Sequence, residues 1–120
     1  MIVAGIGYQS TASISSLIQA FETVATTPDM LASGENKRDS EQIIALSAAL
    51  DIPVRFVPLD QLPQQNCHSQ SPEISTRFQT GSYSEACALA AAGEGSELLI
   101  PRMILANGQV TIAIAKGPSQ

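Results

Sequence analysis

Tryptophan is absent from this chain, histidine occurs once, and six lysines and arginines stand against eleven aspartates and glutamates. Each shortage closes off a class of function. A net charge of −5 leaves too few cations to neutralise a run of phosphates or to hold an anionic bilayer, so neither nucleic acid nor membrane is expected as a partner. One histidine, His68, and two separated cysteines, Cys67 and Cys87, match no zinc spacing; no metal and no resident cofactor is expected. No stretch approaches the roughly 18 apolar residues of a membrane span. The opening MIVAGIG lacks the basic start of a signal peptide. The expectation is therefore a cytoplasmic protein with two unconnected thiols. With aromatics at 4%, the interior has to be built from Ala, Ile, Leu and Val.

What is present suffices for one domain over residues 1–120: 44% of the chain is apolar and 14% charged, with no repeat and no long linker. Ile2–Ile6 reads as a short strand buried on both faces. Ile14, Leu17, Ile18, Phe21 and Val24 recur at helical spacing, which predicts an amphipathic helix over Ser13–Ala25. Met30–Ala32 is ambiguous and allows a second strand. Asp39 fits an N-cap with Gln42 three residues on, a capping box, opening a helix through Leu50. Val54–Val57 follows as a strand, Leu59 and Leu62 mark a helical turn, and residues 64–72 read as a mobile loop. An Ala-rich helix, SEACALAAAG, closes on Gly93. Glu97–Ile100 and Met103–Ala106 read as strand segments, joined by a type I′ turn at Asn107-Gly108 to Val110–Ala115. The order predicts an α/β fold: a three-layer α/β/α sandwich with a mixed, mostly parallel sheet and a C-terminal β-hairpin.

Two glycines, Gly5 and Gly7, with Gln9, Ser10, Thr11 and Ser13 behind them, mark the joint between the first strand and first helix. Such a joint can let a ligand approach backbone N–H groups at a helix start, or simply let helix and strand pack closely; both readings stand. The run is neither a dinucleotide fingerprint, lacking the third glycine, nor a P-loop, lacking Gly-Lys-Ser/Thr. A second joint, TGSYSE over residues 80–85, is of the same kind. Two helix starts at one carboxyl edge of a partly parallel sheet would suit a polyanionic small molecule.

Hydrolytic chemistry has thin support. His68 beside Cys67 sits in a polar loop, and catalytic partners meet through the fold rather than in sequence. Glu85 is a candidate general base, although an acidic residue in a first helical turn also answers the helix dipole. Lys37 is either a solvated loop charge or a carboxylate contact. Arg102, between apolar residues, is either an inward-reaching cation or a snorkelling side chain.

The ordered set GIGYQST, ENKRDSEQIIALSAALDIPVRFV, TGSYSEACALAAAG and LLIPRMI…VTIAIAKG resembles the CobE/CbiG C-terminal family of cobalamin biosynthesis over nearly the whole chain. The length resembles the stand-alone CobE type. Where the family typically has cysteine and arginine after its first glycines, this chain has Tyr8 and Gln9. The family's lysine in the second motif corresponds to Lys37, its glutamate to Ser40 with Glu41 adjacent, and Thr80, Gly81, Ser82 and Glu85 match the third motif. The resemblance implies a role with corrin-ring intermediates, of the precorrin or hydrogenobyrinic acid kind. The leading expectation is binding or carriage of such an intermediate. The alternatives are lactone opening on a cobalt-precorrin with release of acetaldehyde, or a non-catalytic partner of a precorrin methyltransferase or other cobalamin-pathway enzyme. The residues expected to meet the ligand are Gly5, Gly7, Gln9, Ser10, Thr11, Lys37, Thr80, Gly81, Ser82 and Glu85.

Overall fold

The computed structural model describes residues 1–24, 26–65, 67 and 82–118. Five strands form one mixed sheet in the order β3-β2-β1-β5-β4: β1 (Ile2–Tyr8), β2 (Met30–Gly34), β3 (Val54–Val57), β4 (Glu97–Leu105) and β5 (Val110–Lys116). The pairs β1–β2 and β2–β3 are parallel; β5 runs antiparallel to both β1 and β4, so four of the five strands point the same way.

Among the described residues, three α-helices cover the sheet: α1 (Ile14–Glu22), α2 (Glu41–Leu50) and α3 (Tyr83–Ala92). The strands β1, β2 and β3 are laid down in one direction, and right-handed crossovers then put α1 and α2 on a common face. The chain next returns past β1 to start β4 at the far edge, so α3 crosses the opposite face. The packing follows. Ala4, Ile6, Leu17, Leu31, Ile43, Leu46, Ile112 and Ile114 meet on the α1/α2 side, and Val3, Ala32, Val57, Leu62, Ala86 and Cys87 on the α3 side. Burying each large aliphatic side chain contributes about 1.5–3 kcal/mol. The aliphatic interior expected from the shortage of aromatics is what the fold contains.

Several boundaries differ from the sequence reading. The first strand continues to Tyr8, which places Gly5 and Gly7 inside it rather than in a turn, and neither has a positive φ. Both face α3. A Cβ on Gly5 would lie 1.9 Å from the Ser84 carbonyl oxygen and 2.7 Å from the Ala88 nitrogen, so the missing side chain lets α3 sit directly on the strand. Helix α1 ends at Glu22, with Thr23 Oγ1 donating to the Ala20 oxygen (2.7 Å); Ala25 lies outside the described residues. Ser40, not Asp39, is the N-cap of α2, and Gln42 forms no capping box. Ser40 Oγ is engaged elsewhere, as described below.

The strand segments around Pro101 are one strand, β4, with register shifts between Leu98 and Ile100 and between Ile100 and Met103. Proline has no N–H for the ladder, and the local irregularity absorbs it. Asn107 (φ 56°) and Gly108 (φ 87°) occupy the two central positions of the hairpin turn, closed by Gln109 N–H donating to the Ala106 oxygen (3.1 Å).

Candidate functional site

The carboxyl ends of β1 and β2 open onto two loops, residues 9–13 leading into α1 and residues 35–40 leading into α2. Tyr8, the last residue of β1, points to the α1/α2 side. Its hydroxyl donates to Ser40 Oγ (2.7 Å), and Lys37 Nζ lies 4.6 Å from its ring centroid. Burial pushes the Tyr8 phenol above its ordinary value, with the Ser40 hydrogen bond acting in the other direction. Tyr8 is therefore a neutral donor at physiological pH, and its ring face steadies the ammonium. Next to it, the Arg38 guanidinium lies 5.8 Å from the Phe56 ring centroid. Two cations thus stand on one short loop, alongside the exposed carboxyl-bearing residues Glu35 and Asp39.

Loop 9–13 faces them. Gln9, Ser10, Thr11 and Ser13 are exposed. Ser13 caps α1, its Oγ accepting from Ser16 N–H (3.0 Å). Ile14, the first residue of α1, is 40% exposed, an apolar surface beside the hydroxyls. Gln42 reaches from α2 to this loop, its Nε2 donating to the backbone oxygens of Gln9 (3.2 Å) and Ser10 (3.4 Å).

Of the residues singled out from sequence, the fold brings Gln9, Ser10, Thr11 and Lys37 to one exposed edge. Gly5 and Gly7 lie beneath that edge on the α3 face, Gly7 with its Cβ position 2.7 Å from Thr111 Oγ1. Ser82 and Glu85 belong to the start of α3, and Ser82 to Glu85 are buried. Thr80, Gly81 and His68 lie outside the described residues. The two helix starts share the sheet's carboxyl edge, with α1 and α3 on opposite faces of the sheet. The direction of chain travel explained above is the reason.

Glu85 has a structural task. Ser82 Oγ accepts from Glu85 N–H (3.4 Å), one half of a capping box. The Glu85 carboxylate reaches β4 instead of turning back, with Oε2 accepting from Arg102 N–H (2.8 Å). That N–H sits at the register shift after Pro101, where a ladder partner is missing. Arg102 thus enters this contact through its backbone.

Tyr83 was not singled out from sequence, and it ties the α3 start to the same edge. Its hydroxyl accepts from Gly34 N–H (2.8 Å) and donates to Asn36 Oδ1 (2.9 Å), next to the loop that carries Lys37. Burial pushes its phenol well up, so it stays protonated. Tyr83→Phe leaves the Gly34 N–H without that acceptor and is expected to cost about 1–3 kcal/mol in urea unfolding. The SYSE tetrad that marks a helix start was the available signal, since Tyr83 is its first helical residue.

Cys87 is fully buried and Cys67 half-buried; neither is in a disulfide. Burial pushes the Cys87 thiol up, so little thiolate forms. Ellman's reagent should leave Cys87 unmodified in the native protein and label it only on unfolding, read by peptide mass.

A cleft of about 980 Å³ lies at the opposite edge, beside the C-terminal end of α3, lined by Asp60, Gln61, Gln64, Glu94, Glu97 and neighbours. Its three carboxylates and the negative end of the helix dipole oppose an anion. For an acidic ligand, Lys37 and Arg38 give the exposed edge cations that the described lining of this cleft lacks.

The family described as Cobalamin synthesis G C-terminus matches residues 2–115. The chain belongs to that family. It is accordingly a protein of cobalamin biosynthesis, of the CobE/CbiG kind. Among solved structures, it is similar to CobE, a protein from the cobalamin (vitamin B12) biosynthetic pathway, at 27% identity and a TM-score of 0.87, covering 100% of this chain and 92% of that one. It is similar to cobalamin biosynthesis protein chiG from Agrobacterium tumefaciens at 29% identity and a TM-score of 0.74, covering 99% and 100%. A putative cobalamin biosynthesis protein G homolog from Sulfolobus solfataricus shares the fold, with 18% identity and a TM-score of 0.71; this chain covers 37% of its length. No curated protein matches. In this family member, Tyr8 ends β1 as the partner of Lys37 and Ser40, and Gln9 opens the loop to α1. Among the described residues no helix is long and apolar enough to cross a membrane.

Proposed function

We propose that this chain binds and carries an acidic corrin-ring intermediate, of the precorrin or hydrogenobyrinic acid type, at the carboxyl edge of β1 and β2. The observation that carries the reading is the Lys37 ammonium held over the Tyr8 ring, across from the hydroxyl-rich loop 9–13. Such intermediates present several acetate and propionate carboxylates around a large apolar macrocycle. On a chain of net charge −5 they need a local concentration of donors and cations. Lys37 and Arg38 supply the cations, Ser10, Thr11 and the first amides of α1 supply donors, and the exposed Ile14 offers a surface for the ring. Pathway membership supports the ligand class. The contacts expected of Gly5, Gly7, Ser82 and Glu85 are indirect in this reading: they seat α3 beneath the edge. Carriage fits this site better than lactone hydrolysis, because the Glu85 carboxylate is engaged with the Arg102 backbone on the other face of the sheet.

Titration with hydrogenobyrinic acid, followed by the absorbance of the macrocycle, tests the reading. A saturable spectral change at micromolar concentration is expected, weakening as salt is raised. An unchanged spectrum overturns it.

A further inference from the structure

The Gln42 carboxamide sits where the two loops of the edge meet. Its Nε2 donates to the backbone oxygens of Gln9, Ser10 and Ala12, and its Oε1 accepts from Ser40 Oγ (3.4 Å). Ser40 Oγ in turn accepts from Tyr8 OH (2.7 Å), and Lys37 lies over the same Tyr8 ring. One side chain therefore connects the cation-bearing loop to the loop that opens α1.

This arrangement has a directional consequence. In a trans peptide the carbonyl and the following N–H point opposite ways, and the described chain has no cis peptide bond. Drawing the oxygens of residues 9, 10 and 12 onto Nε2 turns the N–H groups of Ser10, Thr11 and Ser13 away from Gln42. All three residues are exposed, and none of these N–H groups has an acceptor among the described residues. Gln42 is suited to the task in one orientation only. Oε1 has a hydroxyl to accept from, whereas rotation of the amide would set an oxygen against three carbonyl oxygens.

Resting on the corrinoid reading above, we infer that Gln42 is the positioning residue of the ligand site: it holds loop 9–13 with three amide donors turned outward for a ligand carboxylate. It need not touch the ligand. Gln42→Glu is the informative variant, because it keeps the side chain's size and places a carboxylate against those three carbonyls.

The test is amide-resolved NMR of the full chain, wild type and Gln42→Glu, titrated with hydrogenobyrinic acid. In the wild type, the Ser10, Thr11 and Ser13 amide signals should move with saturation. In Gln42→Glu, a dispersed spectrum should persist, these shifts should vanish, and Kd should rise about tenfold or more. A purely structural role would weaken binding without sparing or abolishing these three shifts in particular. If the wild type binds while the three amides stay still, or if Gln42→Glu binds with wild-type Kd and shifts, the inference is overturned and corrinoid binding stands. If the wild type does not bind at all, the corrinoid reading fails and this inference with it. Should Gln42→Glu not fold, Gln42→Met, which removes both polar atoms at similar length, is judged by the same two outcomes.

Discussion

Gly5→Ala is expected to destabilise the protein by about 3 kcal/mol or more, among the largest losses any single methyl group can cause here. The Cβ would stand 1.9 Å from the Ser84 carbonyl oxygen and 2.7 Å from the Ala88 nitrogen. Both are backbone atoms of α3, so no side chain can rotate out of the way. The helix must lift off the sheet or tilt, opening the contacts of Ala86, Cys87 and Ala88 at once. For a domain of this size such a loss corresponds to a fall in Tm of roughly 12 °C or more, read by circular dichroism. Gly7→Ala is the comparison. There the nearest obstacle is Thr111 Oγ1, a side-chain atom that can change rotamer, so a smaller loss is expected. A Gly5→Ala protein as stable as the wild type would mean that α3 does not rest on β1 as described.

Lys37→Glu is expected to weaken binding of hydrogenobyrinic acid by about 10- to 100-fold, the effect of exchanging a charge-assisted contact for repulsion. Its folding stability should change far less than its affinity, because Lys37 is only half-buried and its cation–π contact is worth about 0.5–1 kcal/mol. The salt dependence of the residual binding should also flatten, since one screened attraction has been removed. Isothermal titration at two ionic strengths measures both. Equal affinity for wild type and variant would place the ligand away from this loop.

How far the sequence could be read is best seen at particular residues. The strand–helix alternation, the closing turn at Asn107-Gly108 and the C-terminal glycine of α3 were legible because each is local: a period, a left-handed position, a chain reversal. The purpose of Gly5 was legible only as two alternatives. Choosing between them required knowing that α3, which lies roughly eighty residues later, comes to rest on that strand. The same long-range step put the two helix starts on opposite faces, which no local pattern records. Gln42 was misread as half of a capping box because Asp39 and Ser40 are both good caps. A shift of one position frees Gln42 to cross to the preceding loop. Ser40 takes the hydrogen bond from Tyr8. Pro101 advertised an irregularity in its strand, but not that the carboxylate of Glu85 would answer it.

A crystal structure of the chain with hydrogenobyrinic acid tests the assignment of the binding edge most directly. Ligand carboxylates are expected within hydrogen-bond reach of Lys37 and of the Ser10 and Thr11 amides, with the macrocycle against Ile14. A macrocycle lodged instead in the acidic cleft beside Glu94 and Glu97, with loop 9–13 bare, would contradict that assignment.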